Sequence, residues 1–149
     1  MSAVPLTTPA GARAPALRFA IGAVALVGLA IASYLTVVHY TGDQPVCAIA
    51  HGCAVVQQSD YAALAGVPVA VLGLGGYLAA LAALACDGEG WRSAAALVSL
   101  AGLGFSGWLT YVEVAVLHAV CIWCVGSAIC MALLAAVTIY RMVVSPVRA

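Results

Sequence analysis

Long apolar runs along the chain alternate with short stretches where Gly, Pro and polar residues collect. The first run, Phe19 to Val38, is twenty residues without a charge, enough to cross a hydrocarbon layer of roughly 30 Å at about 1.5 Å per residue. Ala30-Ile31-Ala32 has the small-residue pattern of a signal cleavage site, but the apolar run continues past it and further runs follow, so a retained span is expected. A second run opens at Gly66-Val67-Pro68, with Pro68 in a first turn where its missing N–H costs no hydrogen bond, and reaches Ala85. Gly73, Gly75 and Gly76 suit it to a close helix neighbour or a flat ligand. The tight connection Cys86-Asp87-Gly88-Glu89-Gly90-Trp91-Arg92 leads to a third run, Ser93 to Val116, with Gly102, Gly104 and Gly107 expected on crowded faces. A fourth follows His118-Ala119-Val120 almost without a loop and ends near Tyr140.

This pattern predicts an all-α membrane protein, a four-transmembrane-helix bundle with spans at about 18–39, 67–85, 93–116 and 120–140 in a domain of 17–140. Residues 1–16 and 141–149 are expected as tails. The stretch 40–66 breaks the pattern with Thr41-Gly42-Asp43-Gln44-Pro45, Cys47, His51-Gly52, Cys53 and Gln57-Gln58-Ser59-Asp60. Pro45 and Gly52 predict an irregular first half. Ala54 to Leu64 is expected as a short amphipathic half-helix, its Val55, Val56, Ala62 and Ala63 lying on the bilayer surface as a lid.

Composition strengthens the membrane reading: at 66% hydrophobic and 7% charged residues, with mean hydropathy +1.16, a soluble domain of this length could not hide its apolar surface. The zero formal net charge, from five arginines against five acids, points to no nucleic acid or polyanionic substrate. Arginine placement then orients the bundle. Arg13, Arg18, Arg92, Arg141 and Arg148 all fall on one side of a four-span path, so the positive-inside rule puts both termini in the cytoplasm. Cys47, Cys53, Cys121 and Cys124 then share the outer side, where disulfides persist. Cys86 is expected as an inert thiol at the cytoplasmic end. Cys130, about 240° round the helix from Cys124, is expected as a small packing residue.

Cys121-Ile122-Trp123-Cys124 carries the candidate chemistry. Two cysteines three apart on a helix share a face and can close a disulfide there. At a helix N-terminus the free N–H groups and macrodipole favour an anion, which should lower the pKa of Cys121 and make it the attacking thiol. Zinc would want four ligands and a hydrophilic knuckle, and an uncharged run follows instead, so no metal is expected. Incidental apolar cysteines are the other alternative. Two pairs on one membrane face suggest a thiol–disulfide relay, with a purely structural Cys47–Cys53 staple as its rival.

Ser33-Tyr34-Leu35-Thr36, Cys47 and Cys53, Val56-Gln57-Gln58-Ser59, Gly66-Val67-Pro68-Val69 with Leu72-Gly73, and Cys121-Ile122-Trp123-Cys124 occur in that order. Over about Leu17 to Tyr140 the chain resembles the bacterial branch of the vitamin K epoxide reductase family. The resemblance implies a bacterial inner (plasma) membrane protein, a four-helix bundle around a quinone (menaquinone or ubiquinone) capped by the loop between spans one and two. It implies Cys47 and Cys53 as the loop pair, Cys121 and Cys124 as the active-site pair, and Ser59 near the quinone. Many bacterial relatives carry a fused thioredoxin-like domain, and nothing follows Ala149, so a separate thioredoxin-fold partner outside the cytoplasm is expected. Animal relatives that reduce the epoxide place a polar amide in span two and a tyrosine one turn after the second active-site cysteine. Here those stretches read Val67-Pro68-Val69-Ala70 and Ala128, which argues against epoxide reduction and leaves Ser59 and Ser127 as candidates for the quinone carbonyl.

The expected mechanism is that a reduced partner attacks the Cys47–Cys53 disulfide at Cys47, freed Cys53 attacks Cys121, and Cys124, one turn deeper, passes electrons to quinone. Glu113 and His118 are candidates for carrying its two protons, or else form a solvated interfacial pair. A small membrane transporter would want a polar residue at mid-membrane, and Glu113 is near an end. A structural bundle with a non-catalytic loop disulfide would tolerate serine at all four redox positions.

Overall fold

A computed structural model describes residues 10–49, 51–86 and 88–144. Arg148, Asp87 and the outer parts of both expected tails lie outside the described residues. In hydrocarbon every backbone N–H and C=O must be bonded within the chain, so the uncharged runs become helices. They are α1 (Ala10–Thr41), α3 (Val69–Ala85), α4 (Glu89–Tyr111) and α5 (Ile122–Val144), with a short helix α2 (Cys53–Gln57) in the first loop. Helix α1 packs on α3 and α5, and α4 packs on the same two, so the four close into a ring. The expected tail over 1–16 is helical from Ala10 onward.

Three stretches are long and apolar enough to cross a membrane: Pro15–Thr41, Glu89–Val116 and Ile122–Val144. Helix α3, at 17 residues, is shorter, about 25 Å at 1.5 Å per residue. Its expected first turn is used otherwise. Strands β1 (Ala63–Leu64) and β2 (Val67–Pro68) pair antiparallel, Ala63 with Pro68 and Leu64 with Val67. Ala65 (φ 51°) and Gly66 (φ 83°) supply the two left-handed residues that a tight hairpin of this twist needs. The half-helix expected over Ala54 to Leu64 is therefore corrected: α2 stops at Gln57, a 3-10 turn follows at Asp60–Ala62, and the rest is hairpin.

The core gathers Ala25, Tyr77, Cys130, Met131 and Leu134 from three helices. Cys130 is buried there as a packing residue, whereas Cys86 is exposed. Tyr77 is fully buried because Gly28 leaves room on α1: a Cβ at Gly28 would collide with the tyrosine ring. A Cβ at Gly102 would come 2.8 Å from the Met131 sulfur, a milder crowding. Gly104 and Gly107, by contrast, have nothing within 4 Å, so the crowded faces expected for them are not found. At the bundle end away from the loop, the Arg18 guanidinium donates to Leu84 O (2.9 Å) and that of Arg92 to Arg141 O (2.9 Å). Cations there satisfy carbonyls that helix C-termini leave over.

Gly28→Val should overpack the Tyr77 site and destabilise the fold by about 1–3 kcal/mol, whereas Gly104→Val should leave the thermal midpoint in detergent nearly unchanged. Equal midpoints for the two variants would contradict the packing described.

Candidate functional site

Past Tyr111 the fourth helix widens into a π turn, Val112–Val116, closed by Leu117 N–H donating to Val112 O (2.9 Å). Such turns re-aim side chains, and here Glu113 points inward, 3% exposed. The chain then reverses at His118 (φ 49°), which is exposed. Cys121 stands one residue before α5 and its carbonyl accepts the first helical bond, from Val125 N–H (3.0 Å). Its own N–H donates to Glu113 Oε2 (3.0 Å). The Cys124 thiol lies close to the same carboxylate, which shares the cavity wall with it. One carboxylate thus touches both ends of the Cys-x-x-Cys.

Cys121, outside the membrane-spanning helix, has its pKa lowered. The main cause is the hydrogen bond from the Cys124 thiol; burial opposes it, and the N–H groups of Cys124 and Trp123 at the helix start reinforce it. Both cysteines of this pair are thiols, and Cys47 is joined to Cys53 with Cα atoms 6.2 Å apart. Within the loop pair Cys53 is 1% exposed and Cys47 half-buried, so a soluble protein reaches Cys47 more easily.

Two contacts seat the loop on the Cys-x-x-Cys. Gly52, just before Cys53, lies so close to Val120 that a Cβ would come 2.6 Å from its carbonyl oxygen. Val46, just before Cys47, donates its N–H to Tyr34 Oη (2.9 Å) and accepts from Trp123 Nε1 (2.9 Å). The Tyr34 and Trp123 rings lie 4.8 Å apart.

Beside Cys124 opens a cavity of about 390 Å³ between the loop and the inner faces of α3, α4 and α5. Its walls are mostly apolar, among them Leu35, Phe105, Leu109 and Met131; the polar side chains are Gln57, Ser59, Tyr61, Ser106, Thr110, Glu113 and Ser127. Cys121 is sealed (0% exposed), while Cys124 forms part of the cavity wall. The structure brings Glu113, Ser59 and Ser127 to this space and leaves His118 off its lining. Ser59 donates to Val56 O (2.7 Å), and Ser127 shares a hydrogen bond with Tyr77 (2.9 Å), so both hydroxyls are already engaged. Gln57 was not singled out by sequence reasoning. It lines the cavity, and its side chain makes no hydrogen bond to other described residues. Its place inside Val56-Gln57-Gln58-Ser59 was the available signal, but only the geometry separates it from the exposed Gln58.

A membrane helix bundle with a disulfide loop seated on a Cys-x-x-Cys defines a thiol–disulfide oxidoreductase of the membrane. Residues 19–139 match the family model described as the Vitamin K epoxide reductase family, and the chain belongs to that family. Its members use quinones and work with thioredoxin-like redox proteins.

With the Cys121–Cys124 pair reduced, alkylation of Cys121 followed across pH by peptide mass spectrometry should give a midpoint below the roughly 8.5 of an ordinary thiol. The sign follows from the lowered pKa, since the thiolate persists as pH falls. A midpoint above 8.5 would contradict the hydrogen bonding described at Cys121.

Proposed function

We propose that the protein is a quinone-dependent thiol oxidase of a bacterial plasma membrane, supporting disulfide formation in a thioredoxin-fold partner outside the cytoplasm. In this reading α3 completes a four-span bundle, both termini are cytoplasmic, and the loop 40–66 faces outward. The observation that carries it is the split within the Cys-x-x-Cys: Cys121 is sealed beneath the loop while Cys124 borders an apolar cavity. That division separates thiol exchange from electron release.

The partner's thiolate attacks Cys47, breaking Cys47–Cys53 and releasing the Cys53 thiolate. The partner's second thiol then displaces Cys47, leaving oxidised partner. Cys53 attacks Cys121 of a Cys121–Cys124 disulfide and frees the Cys124 thiolate. Cys47 displaces Cys121 from Cys53, which restores the loop disulfide and leaves Cys121 and Cys124 reduced. The cavity fits a quinone head group: it is mostly apolar, large enough for a flat ring, and edged by a minority of polar side chains. A quinone held there would supply the acceptor for the two electrons and two protons released when Cys121 and Cys124 re-form their disulfide. Glu113, in contact with Cys124 and on the cavity wall, takes up thiol protons and passes them on. Gln57, with its unengaged amide, donates to a quinone carbonyl; Ser59 and Ser127 shape the wall around it. His118 serves the chain reversal before α5.

Protein stripped of quinone, with oxygen excluded, should oxidise a reduced thioredoxin-fold substrate only to the extent of its own disulfides, and added quinone should restore turnover. Gln57→Leu should raise the KM for quinone about tenfold, as expected when a buried hydrogen bond is lost, with partner KM unchanged. Undiminished multiple turnover without any acceptor would overturn the proposal.

A further inference from the structure

In the half of the loop that carries Cys47, Pro45 is buried, but the side chains on either side of Cys47 and beyond it are largely exposed. Val46 is 71% exposed and Ile49 is 87% exposed. It is held through its backbone. Both polar backbone groups of Val46 are bonded, the N–H to Tyr34 on α1 and the carbonyl to Trp123 on α5. The two aromatic rings that make these bonds pack on each other. Trp123 is also the residue between Ile122 and Cys124, so the bond ties the loop directly to the first turn of the redox helix. On the other side of the disulfide, Gly52 seats against Val120, next to Cys121.

These two anchors flank Cys47 and Cys53, and neither includes the sulfur–sulfur bond. When a partner opens the disulfide, the cross-link between Cys47 and Cys53 is gone and only the peptide chain between them joins the two. Left unanchored, the segment between the two cysteines would let Cys53 wander, and its attack on Cys121 would lose the proximity that makes an intramolecular step fast. With both anchors kept, Cys53 remains beside Cys121.

Building on the relay reading, we infer that Tyr34 and Trp123 are positioning residues, a backbone clamp on Val46 that holds the opened loop in register for transfer from Cys53 to Cys121. The clamp acts on the internal exchange and not on the partner's attack, because Cys47 is reached from the outer side.

Cys124→Ala isolates that exchange. In this background the Cys121 thiolate attacks Cys53; the Cys53–Cys121 bond forms as Cys47–Cys53 breaks, and Cys47 leaves as a thiolate, so no outside oxidant is consumed. The exchange is started by a jump from acid to neutral pH, quenched with acid and a maleimide, and followed by peptide mass mapping. Adding Trp123→Phe or Tyr34→Phe, each of which keeps a ring and removes one hydrogen bond, should slow the exchange about fivefold, the factor that one net hydrogen bond is worth. Opening of Cys47–Cys53 by dithiothreitol, measured on the same proteins, should not slow. An unchanged exchange rate, or equal slowing of both reactions, overturns the clamp. Absence of any Cys53–Cys121 bond in the Cys124→Ala parent would instead sink the relay itself.

Discussion

The hydrogen bond from Cys121 N–H to the Glu113 carboxylate fixes where α5 begins relative to the end of α4. A carboxyl group that is 3% exposed needs polar partners, and a helix start has N–H groups without any, so each supplies what the other lacks. The π turn at Val112–Val116 is what brings Glu113 round to make the bond. Because α5 starts there, Cys121 falls beneath the loop and Cys124, one turn on, falls at the cavity. The two thiols of one short motif therefore occupy different environments.

From that starting point the four cysteines differ in exposure in the order the proposed relay requires. Cys47 is the more accessible, Cys53 is buried next to the Gly52 that seats on Val120, and Cys124 borders apolar space. The loop disulfide is held over the Cys-x-x-Cys by backbone contacts, Gly52 on Val120 and Val46 on Trp123, rather than by charged groups. Backbone anchoring suits a loop at a membrane surface, where exposed apolar side chains such as Ile49 offer little fixed packing. The arginines are kept to the opposite end, where Arg18 and Arg92 close helix C-termini.

The long apolar runs were legible because a membrane leaves the backbone few alternatives, and four runs became the four helices of the ring. The packing role of Cys130 was legible too, since its angle round the helix from Cys124 turns it into the core. Less could be read where tertiary contact decides. Periodicity made Ala54 to Leu64 look helical, yet Ala65-Gly66 turned the chain into a hairpin and cost α3 its first turn. Glycine spacing suggested crowding throughout α4, but only Gly102 faces a core side chain. Nothing in Val-Glu-Val-Ala-Val announces a π turn, and nothing in Tyr34 and Trp123 announces that both will bond to Val46. Such partners are far apart in sequence and meet only once the helices have packed.

The order of sulfur exchange is the most direct test of the proposed relay. Oxidised protein mixed with one equivalent of a reduced thioredoxin-fold dithiol, acid-quenched over milliseconds to seconds and mapped by mass spectrometry, should show a partner–Cys47 disulfide first and a Cys53–Cys121 disulfide second. A partner–Cys121 disulfide appearing before either would contradict it, because the loop would then be bypassed.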